Sequence, residues 1–158
     1  MITLTVIDAS APRDQREAIR ELMTEYAALP HTVGRWLTMQ ADLAMLPHPF
    51  VPPSGVLLLA LADEVPVGCG VLLTLESGVG EIKRMYVRSA ARGHGVGAAL
   101  LTALLAQAKA FGFARVRLDT APELTAALAL YQRFGFMPIP HYREGLLPDA
   151  LCFERAVV

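Results

Sequence analysis

Cysteine is nearly absent from the chain. Cys69 and Cys152 are the only two in 158 residues, each stands inside an apolar run, and they lack metal-type spacing. That excludes a disulfide-built scaffold and leaves two small buried hydrophobes as the reading. Histidine is as sparse: His31, His48, His94 and His141 are scattered, with no pair at ligand spacing, so no metal site is expected. An excess of one charge is also missing. Fourteen Lys and Arg against fifteen Asp and Glu leave a net charge of −1, which gives nucleic acid no electrostatic footprint as a partner. No apolar run approaches the roughly 18 residues of a membrane span, and the opening MITLTVIDASAPRDQ has no basic leader. The expectation is a soluble, cytoplasmic protein with no membrane partner.

What remains is rich in apolar residues, 54% of the chain, with a mean hydropathy of +0.42. A chain of this length buries roughly two thirds of its unfolded surface around one core, so residues 1–158 are read as a single domain. ITLTVI alternates as a strand, and the following helix carries Ile19, Leu22, Met23 and Tyr26 on one face. TVGRWLTMQADLAML is a second helical stretch, and the prolines of PHPFVPPSG suit a loop or lid. Two apolar strands flank the ADEVP turn, and EIKRMYV adds a third, making an antiparallel meander. A helix with Leu100, Leu101, Leu104, Leu105 and Ala108 on one face runs to Gly112, and ARVRLDT is the next strand. Pro122 is expected to open a further helix that Gly135 closes, before the strands FMPI and ALCFERAVV. The order is mixed α/β.

Gly93, Gly95 and Gly97 stand between a strand and an apolar helix. Gly93, Gly95 and Ala98 satisfy a dinucleotide-binding pattern, with Asp119 some twenty residues on. Three features oppose that reading. RSAAR separates the strand from the first glycine, the strand carries Glu81, Lys83 and Arg84 where a doubly covered parallel strand would be apolar, and about sixty residues are too few for a second nucleotide-binding half. A tight helix start would need one glycine. Three in five positions leave successive N–H groups bare at a helix N-terminus, with Arg92 alongside, and a pyrophosphate suits that arrangement.

YVRSAARGHGVGAALL resembles the coenzyme A loop of the GNAT superfamily of N-acetyltransferases, whose R/Q-x-x-G-x-G/A pattern is met by Arg92, Gly95 and Gly97. LYQRFGF is similar to the family's tyrosine-bearing helix end, about forty residues beyond the loop. The resemblance runs from the hairpin at Gly55 to the C-terminal strand. It implies a mixed, mostly antiparallel central sheet with flanking helices and a splayed parallel pair, Glu81–Val87 and Arg115–Thr120. Acetyl-CoA is then the acyl donor, with no metal. The backbone of Met85, Tyr86 and Val87 would meet its pantetheine arm, and Arg92, Gly93, His94, Gly95, Val96 and Gly97 would wrap its pyrophosphate. Where many relatives carry Asn seven positions before the tyrosine, Leu124 stands here.

Transfer from a thioester to an amine needs a neutral amine, a stabilised developing negative charge and a proton for the leaving thiolate. By the family pattern Tyr131 is the general acid, and a phenol with pKa about 10 keeps its proton at neutral pH. Glu81 is the candidate base, acting through water, with a plain ion-pairing role as the alternative and His141 as a weaker base. Trp36, Phe50 and Tyr142 are the expected acceptor-binding side chains. Their mixed apolar wall fits a primary amine on a small molecule or amino acid. A non-catalytic acyl-CoA sensor or partner subunit, acetylation of a protein N-terminus or lysine, and a homodimer stay open.

Overall fold

The structure, a computed structural model, describes residues 1–30, 32, 41 and 43–158. Strand β1 (Ile2–Val6) leads into helix α1 (Arg13–Ala27). The meander follows as β2 (Gly55–Ala62), β3 (Val65–Glu76) and β4 (Val79–Val87), then α2 (Val96–Ala110), β5 (Arg115–Thr120), α3 (Thr125–Arg133), β6 (Met137–Ile139) and β7 (Leu151–Ala156). The seven strands form one sheet in the order β1-β2-β3-β4-β5-β7-β6, and β4 with β5 is the parallel pair in it. Most of the second expected helix lies outside the described residues; 43–45 are helical.

Alternation along β2 divides the core into two layers. Val56, Leu58 and Ala60 pack with Leu100, Leu101 and Leu104 of α2, whereas Leu57 and Leu59 pack with Ile19, Leu22 and Met23 of α1. Each fully buried leucine contributes about 2 kcal/mol by leaving water, and those on α2 are at 0% exposure. Asp63 and Glu64, both at positive φ, make the two-residue hairpin turn between β2 and β3.

Two irregularities place the site. The parallel pairing of β4 with β5 covers only Val79↔Arg115, Gly80↔Val116 and Glu81↔Arg117, after which the strands part. Beyond Lys83, β4 then carries a bulge: Arg84 and Met85 together oppose Gly70, and Arg84 takes φ 56°. A left-handed non-glycine residue costs about 1–3 kcal/mol. The bulge reverses the alternation, so Met85 and Val87 pack toward α2 while Tyr86 packs toward α1.

Helix α3 begins at Thr125, not at Pro122. The N–H of Leu124 donates to the carbonyl of Ala121 at 3.1 Å, which makes residues 121–124 a turn with proline in its favoured second position. Gly135, at φ 80°, ends the helix as expected. The N–H of Phe136 donates to the Tyr131 carbonyl at 3.0 Å, and that of Gly135 to the Gln132 carbonyl at 3.1 Å. These two bonds are the Schellman pattern. Its usual apolar contact is present as well, with the Tyr131 and Phe136 rings edge-on at 5.9 Å. LYQRFGF is therefore a helix terminator that fixes the position of Tyr131.

Candidate active site

Where β4 and β5 part, a cavity of about 260 Å³ opens. Lys83, Arg84 and Met85 line it from β4, Asp119 and Thr120 from β5, and Leu124 and Tyr131 from α3 and the turn before it. The end of α1 and the β6–β7 connection close it with Tyr26, Thr32, Arg143 and Leu147.

Tyr131 is 6% exposed. Burial pushes its phenol above the ordinary value, and the Tyr26 and Asp119 charges add to the effect. The group therefore stays protonated, which suits a proton donor. Leu124, in the place where many relatives carry Asn, offers the cavity an apolar wall.

The backbone of β4 beyond the bulge follows from hydrogen-bond parity. The N–H of Arg88 donates to the Val67 carbonyl at 2.8 Å, and the N–H of Tyr86 reaches the Cys69 thiol. Both residues thus direct their polar backbone groups at β3. By alternation, Val87 turns its N–H and carbonyl the other way, into the gap left by β5. Its carbonyl accepts from Arg92 Nε at 3.0 Å. Cys69 itself is buried; its thiol donates to the carbonyl of the bulged Arg84 at 3.6 Å, and burial raises its pKa to about 12. It is an inert core residue, as the sequence suggested.

At the head of α2, Gly93 and Gly95 have φ 81° and 84°, with nothing within 4 Å of where a Cβ would stand. Arg92, Gly93, His94 and Gly95 are exposed, and Gly95 is the N-cap. Val96 is 2% exposed and packs in the core with Leu100, anchoring the start of the helix. Gly97 serves packing: a Cβ there would lie 3.3 Å from Leu130 of α3. The loop is open main chain at a helix start with one guanidinium beside it. Those features fit the pyrophosphate of a coenzyme A ester.

Glu81 is 4% exposed and closely partnered. The Tyr142 hydroxyl and Arg143 Nε, the latter at 3.0 Å, both donate to its Oε2, and Lys83 Nζ lies 3.9 Å from Oε1. Burial lowers the Lys83 pKa, with Glu81 opposing the shift. For Tyr142, burial and then donation to Glu81 both raise it. Tyr142 thus meets Glu81 directly. Phe50 is 2% exposed, with its ring beneath the Arg84 guanidinium at 5.2 Å; it supports a cavity-lining residue and is not itself among the lining residues. Trp36 lies outside the described residues. His141 Nε2 is 2.8 Å from the Ala150 carbonyl, and no metal-binding cluster occurs among the described residues. Sequence reasoning missed Arg143 and Asp119 as members of this cluster; their only signal was charge in otherwise apolar or loop segments.

Residues 16–136 match the model of the acetyltransferase (GNAT) family, and the chain belongs to that family. An uncharacterized N-acetyltransferase of Schizosaccharomyces pombe is 30% identical over 143 residues, 87% of this chain and 83% of the relative. An IAA acetyltransferase of Azospirillum brasilense is 38% identical over 80 residues, 50% of this chain and 52% of its own. The fold matches a GNAT-family acetyltransferase of Staphylococcus aureus with a TM-score of 0.79 at 19% identity, covering 100% of both chains. The protein is an acetyl-CoA-dependent acyltransferase. No helix among its described residues is long and apolar enough to cross a membrane.

Proposed function

We propose that residues 1–158 act as one domain that moves an acetyl group from acetyl-CoA to a primary amine on a small molecule or amino acid, by direct attack of the amine. The observation that carries this reading is the shared cavity. Tyr131, a buried phenol that keeps its proton, lines the same space as Lys83, Arg84 and Met85 of β4, the stretch whose bulge turns the next residues over. Acetyl-CoA supplies the thioester-activated acyl group. The main chain of 92–97 and the Arg92 guanidinium hold its phosphates, and the backbone of Met85, Tyr86 and Val87 orients the arm. The Val87 N–H stabilises the charge that develops on the carbonyl oxygen. Tyr131 returns a proton to the departing sulfur. Glu81 takes the proton of the amine through water; an alkyl ammonium has a pKa near 10, so at neutral pH an acceptor is required.

Acceptor side chains come from the α1 end and from the 46–53 and 140–150 segments. Tyr142 and Phe50 act there indirectly, the first through Glu81 and the second through Arg84. Mixing the protein with acetyl-CoA and a panel of small amines and amino acids, and following free thiol, tests the reading. Amine-dependent thiol release with matching N-acetyl product is expected. Tight acetyl-CoA binding without release from any amine would instead mark a sensor.

A further inference from the structure

The β6–β7 connection delivers two consecutive side chains to one carboxylate. The Tyr142 hydroxyl and Arg143 Nε both donate to Glu81 Oε2. The other end of the guanidinium, Nη2, reaches Asp119 Oδ1 at 3.4 Å. Glu81 occupies the last register pair of β4 with β5, and Asp119 lies two residues past its partner Arg117. A single cation therefore ties the two strands just beyond the point where their own hydrogen bonds stop. Both acids are withdrawn from water, at 5% and 8% side-chain exposure.

We propose that Arg143 is a positioning residue for the transfer: by bridging Glu81 and Asp119 it holds the Glu81 carboxylate fixed just where β4 and β5 part. The proposal rests on the reading of Glu81 as the proton acceptor. The groups around Glu81 leave this task to Arg143. On its own strand, Lys83 is 3.9 Å away, too far for a hydrogen bond, and Arg84 stacks on Phe50. On β5, Arg117 pairs with Glu154 at 2.8 Å and Glu76 at 3.5 Å and reaches the cluster only by lying over the Tyr142 ring at 5.7 Å. From the connection, Tyr142 donates a neutral hydroxyl. Since Tyr142 and Arg143 are adjacent, any displacement of their segment withdraws both donors together and leaves Glu81 with Lys83 alone. Arg143 also lines the cavity, so the segment that closes over the acceptor side is the one that prepares the acid.

The test is amide hydrogen exchange of the whole chain at residues 81–83 and 117–120, where the bridge ties the parted strands. In Arg143→Gln exchange there should quicken by about tenfold or more, and Arg143→Lys should restore most of the difference. Unmoved exchange in a folded Arg143→Gln overturns the proposal. Asp119→Asn gives a second reading if Arg143→Gln does not fold: cutting the far end of the bridge should quicken exchange in the same segments, and no change there overturns it. With any amine that the wild type acetylates, Arg143→Gln should lower kcat by about tenfold or more while KM for acetyl-CoA stays within about twofold, and Arg143→Lys should recover part of the rate. Unchanged kcat overturns the positioning role. Failure of all amines to release thiol counts against the transfer reading alone, and the exchange rates still decide the bridge.

Discussion

At Gly93–Gly97 the chain presents main chain to solvent: two left-handed glycines with empty space around them, a helix N-terminus and one exposed arginine. Around Glu81, twelve residues before Gly93, the construction is inverted. There the working atoms are side chains, buried, drawn from β4, β5 and the β6–β7 connection, and each occupied by another. Backbone can be bared by a few adjacent residues, so an anion site of this kind is local and tolerant of what surrounds it. A buried cluster of charges has to be assembled from a distance and is sensitive to every member.

The contrast can be broken most sharply at Tyr131, which belongs to neither region but to the cavity between them. Tyr131→Phe keeps the ring and its contact with Phe136 and removes only the hydroxyl. Steady-state kinetics should show kcat falling by roughly ten- to a thousandfold, with acetyl-CoA affinity and melting temperature nearly unchanged. Lost stability with retained turnover would make the residue a core tyrosine.

At the loop, Gly95→Asp should weaken coenzyme A binding at least tenfold by calorimetry, roughly 1.4 kcal/mol or more. It adds a carboxylate at the helix N-terminus proposed to hold the phosphates, and it strains a residue at φ 84°. Thermal unfolding should change modestly, since open space surrounds the site. Gly97→Asp is a less clean probe because its side chain would start against Leu130. Unchanged affinity in Gly95→Asp would place the phosphates elsewhere.

At the cluster, Glu81→Gln should slow transfer several-fold, mostly at lower pH where more of the amine carries its proton, and recover as pH rises. A pH-independent loss would make the carboxylate a structural member only. The smallest effect belongs to β7, on the other side of β5 from Glu81. Arg117 and then Arg115 donate to Glu154 and hold its carboxyl below the ordinary value of 4.5. A depressed folded pKa means stabilisation that is complete above that value and is lost as pH falls through the lower folded one. Glu154→Gln should therefore flatten the fall in melting temperature below about pH 4.5, with little change near neutrality.

The division between regions also explains what the sequence disclosed. The loop and LYQRFGF were legible because each is a contiguous stretch with its own backbone requirement, a left-handed glycine after a helix or before one. The parted parallel pair followed from them through the family resemblance, and the antiparallel meander from the alternation of its own strands; the β5-β7-β6 order was not legible. Arg143 was illegible because its meaning lies 62 residues away at Glu81. Phe50 was expected on the acceptor wall, and no pattern indicated that its ring would lie under Arg84. The start of α3 was misjudged by three residues because proline suits a turn as well as a helix's first position.

The bulge at Arg84 gives β4 two addressees. An even strand shows alternate residues to the same neighbour from end to end, so whatever Glu81 and Lys83 face, Met85 and Val87 would face as well. One surplus residue changes that phase midway. The first half of the strand turns its charged side chains toward Tyr142 and Arg143, and the second half packs Met85 and Val87 on the helix below the loop. Removing one residue at 84 or 85 would leave a regular ladder and put both halves in the same phase. Charged and apolar side chains would then compete for one face of a strand that now keeps them on opposite ones.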